Sequence, residues 1–279
     1  MFFTKLVVAI DDSEPARYAV DVGIAIAARD KCPVVFGVML DPALLTQNYG
    51  FSSLQQMVEQ EGEQLVANAL KRAHDAGVEA SSKTLFDSPC QGIIDLATSE
   101  QAGMIVMGTH GRTGMARILL GSVAEAVLRR STIPLCIIRR PRTGVVHRRF
   151  LVPVADDDLT RATVHYAIDA AQSLGSSILF CTVLNPVARK TAVQVLEEAE
   201  RLAREQGVEC SAVVLGGSDI SKVILDHAYA DGSDAIVMAS HGREGFDRLV
   251  NGSVAEAVIR SSRIPVVVIR QQPDVESRV

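Results

Sequence analysis

"MGTHGRTGMARILLGSVAE" (residues 107–125) returns as "MASHGREGFDRLVNGSVAE" (residues 238–256). A glycine-punctuated sentence written twice in a chain of 279 residues indicates a duplication, in a chain too long for one ordinary core. The surroundings repeat as well. In the first half, "KLVVAI" is a short apolar run that stops at Asp11, Asp12, Ser13, Glu14 and Pro15, the pattern of a buried strand meeting a helix start. Pro15 suits a first helical turn, and Ser13 or Asp12 can cap it. The helix runs to about Arg29, with Ala16, Ala19, Val20, Gly23 and Ala27 as its apolar stripe. "CPVVFGVML" reads as a second strand, "SLQQMVEQEGEQLVANALKRAHDAG" as a long amphipathic helix closed by Gly77, and "VEASSKTL" as a third strand. "PCQGIIDLATSEQAG" is a helix, "MIVMG" a fourth strand, residues 121–130 a helix and "IPLCIIR" a fifth strand.

Strands alternating with helices, with nearly unbroken Val and Ile runs, predict α/β architecture: a parallel sheet covered on both faces, three layers deep. "RFLVPVADDDLTRATVHYAIDAAQSLG" restarts the programme, so the expected domains are residues 1–140 and 149–272. Between them "RRPRTGVVHRR" (139–149) reads as a solvated, basic linker. Arg17 matches Arg161 at an offset of 144 and Gly121 matches Gly252 at 131, so the second copy is shorter by about 13 residues, lost after its second strand. The runs "PLCIIR" and "PVVVIR" are too apolar to stand as exposed edges and are expected to pair, making an intrachain pseudo-dimer.

Composition narrows the function. With 48% hydrophobic and 22% charged residues both halves can fill a core, and a net charge of −5 argues against a nucleic-acid partner. No apolar run reaches membrane-spanning length, and the first residues lack a cleavable-signal pattern, which places the protein in the cytoplasm, away from a membrane. The five cysteines show no C-x-x-C spacing and read as buried thiols. No pair of histidines or cysteines has metal-ligand spacing, so no metal is expected from protein ligands alone.

In an open parallel sheet, ligands sit beyond the carboxyl ends of the strands where strand order reverses. Asp11 follows the first strand there, and the stretch from Gly108 to Ser122 follows the fourth. Gly108, Gly111 and Gly121 permit positive φ and close approach of backbone N–H groups to an anion, and Gly121-Ser122 opens a helix whose first amides favour phosphate. Ser122 and Glu125 also spell a capping box, which explains "SVAE" but not the earlier glycines. Neither a Walker loop nor a dinucleotide glycine turn is present.

The spacing Gly108-x-x-Gly111, nine residues, Gly121-Ser122, paired with Asp11, resembles the ATP-binding universal stress proteins, and the resemblance covers both halves. It implies two Rossmann-like five-stranded domains of order 3-2-1-4-5 joined by antiparallel fifth strands. It also implies that Asp11 and the Val38 backbone recognise adenine, and that Gly108, Gly111, Gly121 and Ser122 hold ribose and phosphates. Ile10, Ser13, Met107, His110, Arg112 and Val123 would line the same crevice. The implied ligand is ATP, with ADP or AMP as variants, accompanied by Mg²⁺.

At the matching positions the second half has Ala155 for Asp11, Thr182 for Val38 and Ala239 for Gly108, so its motif is eroded. His241, Gly242, Gly252 and Ser253 persist as a weaker second site. The triplet Asp156 to Asp158 is expected to cap a helix. No catalytic residue stands out. The expected role is a nucleotide-dependent stress-response regulator; a slow ATPase or autophosphorylating enzyme, and a protein-interaction scaffold independent of nucleotide, are the alternatives, and pairing of two chains into a further homodimer is left open.

Overall fold

The computed structural model describes residues 1–41, 51–109, 120–140, 148–184, 189–240 and 254–270; the side chains of residues 51–59, 61 and 189–192 are not among those described. The first half contains β1 (Leu6–Ala9), α1 (Glu14–Asp30), β2 (Val34–Leu40), α2 (Phe51–Asp75), β3 (Ala80–Phe86), α3 (Pro89–Ser99), β4 (Met104–Gly108), α4 (Ser122–Arg130) and β5 (Leu135–Ile138). The second contains β6 (Arg149–Pro153), α5 (Asp158–Leu174), β7 (Ser177–Leu184), α6 (Arg189–Glu205), β8 (Cys210–Gly216), α7 (Ile220–Asp231), β9 (Ala235–Ala239), α8 (Val254–Ser261) and β10 (Val266–Ile269).

One sheet of ten strands runs through the chain in the order β3-β2-β1-β4-β5-β10-β9-β6-β7-β8. Within each half every pair is parallel, giving 3-2-1-4-5 and its mirror, and only β5 and β10 meet antiparallel. The apolar runs are explained by burial on both faces: one core holds the inner faces of α1, α2, α5 and α6, the other those of α3, α4, α7 and α8. Large side chains such as Phe36, Phe180, Ile105 and Leu151 are fully enclosed, each stabilising the fold by about 2 kcal/mol. The predicted stripe of α1 is buried throughout, Ser13 caps the helix by accepting from Ala16 N–H at 3.2 Å, and Gly77 ends the turn after α2 at φ +70°.

Among the contacts that lock the two halves, those at the central seam, beside it and around Asp30 stand out. At the centre Val266, Val267 and Val268 of β10 pair with Ile137, Cys136 and Leu135 of β5. Beside this seam two arginines cross over: Arg270 donates to the Leu128 carbonyl at 2.6 Å, and Arg139 donates to the Arg260 carbonyl. Both acceptors lie in the last turn of a helix, where orphan carbonyls and the negative dipole end favour a cation. On the other face the buried carboxylate of Asp30, at the end of α1, accepts from Phe2 N–H at 2.8 Å, from Phe3 N–H at 2.7 Å and from the Ser173 hydroxyl of α5. Tyr166 of α5 packs edge-on against Phe2 in the same place, with ring centroids 5.1 Å apart.

The basic linker departs from expectation at its end. Residues 141–147 lie outside the described residues, but Arg149 opens β6 and its guanidinium holds Asp231 at 2.6 Å instead of standing in solvent. This pair occupies the place of Lys5 and Glu100 in the first half, also an ion pair, at 2.5 Å. Lys83 joins the first-half pair on Glu100 at 2.5 Å. Three thiols, Cys32, Cys136 and Cys181, are buried and pushed up to about 12 by loss of solvent, with the Asp30 charge adding to the effect at Cys32.

Asp30→Ala orphans two backbone donors and a hydroxyl, and is expected to cost about 3 kcal/mol in urea unfolding of the whole chain, against about 1 kcal/mol for Ser173→Ala. The ammonium groups of Lys5 and Lys83 hold the Glu100 carboxyl below the usual carboxylate range. Its stabilisation is therefore complete above that range and lost as pH falls through the lowered value. Glu100→Gln should lower stability at pH 7 by about 1 kcal/mol, and the thermal midpoint with it, and should flatten the fall of the midpoint on acidification to about pH 4, as calorimetry at both pH values will read.

Candidate functional site

The first-half crevice opens where β1 lies between β2 and β4, the point at which strand order reverses. After β1 the chain leans towards β2, because Ile10 N–H donates to the Gly37 carbonyl at 2.9 Å. Asp11, half-buried, then accepts from Ser13 N–H through Oδ1 at 2.9 Å, a short turn that delivers Ser13 to its capping position. Asp12 points away and pairs with Arg17 at 2.8 Å.

On the other side of the crevice, Thr109 follows β4 and donates its N–H to the Ile138 carbonyl. Its own carbonyl accepts from Gly121 N–H at 2.8 Å. The chain thus leaves β4 and comes back to the same point before α4 begins, whatever lies between. His110, Gly111 and Arg112 fall in that interval and lie outside the described residues. Thr109 is the residue that sequence reasoning missed: it is buried, and its place immediately after the Gly108 strand end was the available signal.

Two expectations about this stretch are corrected. Ser122 does not form a capping box with Glu125, because the cap position is Gly121, one residue earlier; Ser122 is the exposed first residue of α4 and Glu125 pairs with Arg129. A glycine cap supplies no side-chain acceptor of its own, and among the described residues no side chain caps the first turn of α4. Nor do Gly108 and Gly121 serve by left-handed backbone, while Gly111 lies outside the described residues. Gly121 has φ −62°, and Gly108 is an extended strand residue outside the positive-φ set. Gly108 is needed for closeness: a Cβ there would stand 2.8 Å from Pro15 C and 2.9 Å from Ala16 N, inside the first turn of α1. The backbone that approaches Gly108 is the protein's own.

Of the remaining expected site residues, Ile10, Val38 and Met107 are core side chains, 5% exposed each, so they can offer a ligand only backbone groups. Val123 is half-buried against the α3–α4 core. Asp11, Ser13, Gly108, Gly121 and Ser122 gather at the carboxyl ends of β1 and β4. Among the described residues no group of three His, Cys, Asp or Glu side chains comes together to hold a metal ion, and no helix is long and apolar enough to cross a membrane.

In the second half the same corner is built differently. Asp157 caps α5, accepting from Thr160 N–H at 2.8 Å and from its hydroxyl at 2.9 Å, as the acidic triplet predicted. Asp156 pairs with Arg161 at 2.9 Å and so does not stand in for the missing Asp11 carboxylate. Ala155 is exposed, Thr182 brings a buried hydroxyl where Val38 is apolar, and the Ala239 methyl excludes the approach that Gly108 permits. His241, Gly242, Gly252 and Ser253 lie outside the described residues.

The profile of the universal stress protein family matches residues 2–139 and again residues 147–270. Universal stress protein Rv2005c of Mycobacterium tuberculosis is 32% identical over 235 residues, 76% of this chain and 78% of that protein. Universal stress protein Rv2623 of the same organism is 26% identical over an alignment covering 95% of this chain and 96% of its own. The crystal structure of a universal stress protein from Archaeoglobus fulgidus aligns with a TM-score of 0.79, covering 96% of this chain and 98% of that one; at 22% identity it speaks for the fold alone. With the family profile matched twice end to end, and the fold and both strand orders in agreement, the chain belongs to the universal stress protein family, in a tandem form.

Proposed function

We propose that the first-half crevice binds an adenine nucleotide, ATP with its Mg²⁺, and that the chain acts as a nucleotide-dependent regulator of a stress response in the cytoplasm. The observation that carries this reading is the Gly121 N–H to Thr109 carbonyl bond, which sets a helix start without a capping side chain against the end of β4, one strand over from Asp11 at the end of β1. Backbone donors at a helix start favour a polyphosphate, and a carboxylate one strand away is an acceptor for the N–H or O–H groups of a nucleoside.

In this reading Asp11 and the Val38 backbone meet the adenosine part, while Gly108, Gly111, Gly121 and Ser122 hold ribose and phosphates. Ile10, Ser13, Met107, His110, Arg112 and Val123 complete the walls. Mg²⁺ would be carried by the phosphates and water, as is usual for this ion, and would neutralise their charge. The second half, without the carboxylate and without a glycine at residue 239, would hold at most a weaker nucleotide or anion site through His241, Gly242, Gly252 and Ser253.

Titration calorimetry with Mg·ATP tests the assignment. Asp11→Ala and Gly121→Asp should each weaken binding at least about a hundredfold, about 2.7 kcal/mol, the first by removing the acceptor and the second by placing a carboxylate in the cradle. Ala155→Ser and Ala239→Ser should leave the affinity within about threefold. Equal losses from both sets would put the site in the wrong half. ATP turnover above the Gly121→Asp control would favour the enzyme alternative over the regulator.

A further inference from the structure

β5 and β10 are matched strands, and the chain leaves them in the same way at first. Arg139 and Arg270, the first residues beyond each, both cross to the last turn of a helix in the opposite half. The next position has diverged: Arg140 in the first half corresponds to Gln271 in the second. This exchange runs with the others at the carboxyl ends of the strands. The half that keeps Asp11 and Gly108 keeps the cation, and the half with Ala155 and Ala239 lacks it.

Arg140 stands at the rim of the first-half crevice. Thr109 N–H donates to the Ile138 carbonyl at 2.9 Å, so the chain beyond β5 departs from beside the end of β4. Side chains alternate along an extended segment, and Arg139 is spent on α8, which sends Arg140 to the α1 face. On that face the first turn of α1 lies over the same strand ends, its Pro15 and Ala16 against Gly108. One turn further on, the Tyr18 hydroxyl donates to Glu14 at 2.6 Å. The Glu14 bond raises the Tyr18 hydroxyl above its ordinary range and the Arg140 guanidinium pulls against it, which sets the cation beside this pair. The second half has Ala162 where the first has Tyr18. Arg140 is exposed, and among the described residues no carboxylate forms an ion pair with it.

We propose that Arg140 reads the length of the phosphate chain: its guanidinium meets the terminal phosphate of the bound nucleotide, so that the first-half crevice prefers a triphosphate to a monophosphate. This rests on the adenine-nucleotide reading above. The phosphate next to the sugar has the backbone amides at the start of α4 to meet it. Each further phosphate adds negative charge in a chain whose own net charge is −5, and a planar guanidinium can donate two N–H groups to one phosphate. Tyr18 is the positioning residue: its proton is committed to Glu14, which leaves its oxygen as an acceptor towards the guanidinium.

Titration calorimetry of the full chain with ATP and with AMP, at low and at high salt, tests this. Arg140→Gln should weaken ATP binding about tenfold and lower the preference for ATP over AMP by the same factor. Arg140→Lys should restore part of the preference, and Tyr18→Phe should lower it less than Arg140→Gln does. Lys222→Gln removes an equal charge from α7 in the second half and should leave the preference unchanged. High salt should bring the unmodified chain towards the Arg140→Gln value, because the cation is exposed. An unmodified chain that binds neither nucleotide overturns the nucleotide reading and this assignment together. If the unmodified chain binds ATP while Arg140→Gln keeps the preference, or weakens ATP and AMP alike, the assignment of Arg140 alone is overturned and the site stands.

Discussion

The whole architecture turns on three antiparallel residue pairs between β5 and β10. Each of these strands is only four residues long and fully buried, so neither half would keep its outermost parallel strand from water without the other. The seam converts two edges that would otherwise invite aggregation into the middle of one sheet. It also sets the pseudo-two-fold relation from which the other cross-contacts follow: the reciprocal reach of Arg139 and Arg270 to the last turn of a helix in the opposite half, and the meeting of α1 with α5 around Asp30.

Duplication freed the halves to drift under a shared constraint. At the foot of the first strand of each half a cation must meet the carboxylate that ends the third helix or follows it, and both halves obey, one with Lys5 and Glu100, the other with Arg149 and Asp231. Longer base with shorter acid keeps the span. At the carboxyl ends of the strands no such constraint held the copies together. The first half has Asp11, Gly108 and a glycine-capped helix start; the second has Ala155, Ala239 and an α5 whose acidic residues are spent on its own cap and on Arg161.

Most of the fold was legible in the sequence because its signals are local. The strand and helix periods, Ser13 as a cap, Gly77 as a stop and the apolar fifth strands each depend on a few neighbouring residues. What escaped was set at a distance. Ser-x-x-Glu reads the same whether serine is the cap or the first helical residue, and the bond from Glu125 N–H to the Gly121 carbonyl decides for the latter. The need for glycine at 108 comes from Pro15 and Ala16, more than ninety positions earlier in the chain. Asp30 looks like an ordinary polar residue near a helix end, and its three partners come from the chain's second and third residues and from α5.

α1 is therefore gripped at both of its ends. Its first turn rests on the strand end that borders the crevice, and its last residue is the clasp to the other half. Seventeen residues of helix make a stiff strut of about 25 Å between those points. With no slack at Gly108 and no spare acceptor at Asp30, a displacement imposed at the crevice has to be taken up at the boundary between the halves, so the strut couples them mechanically.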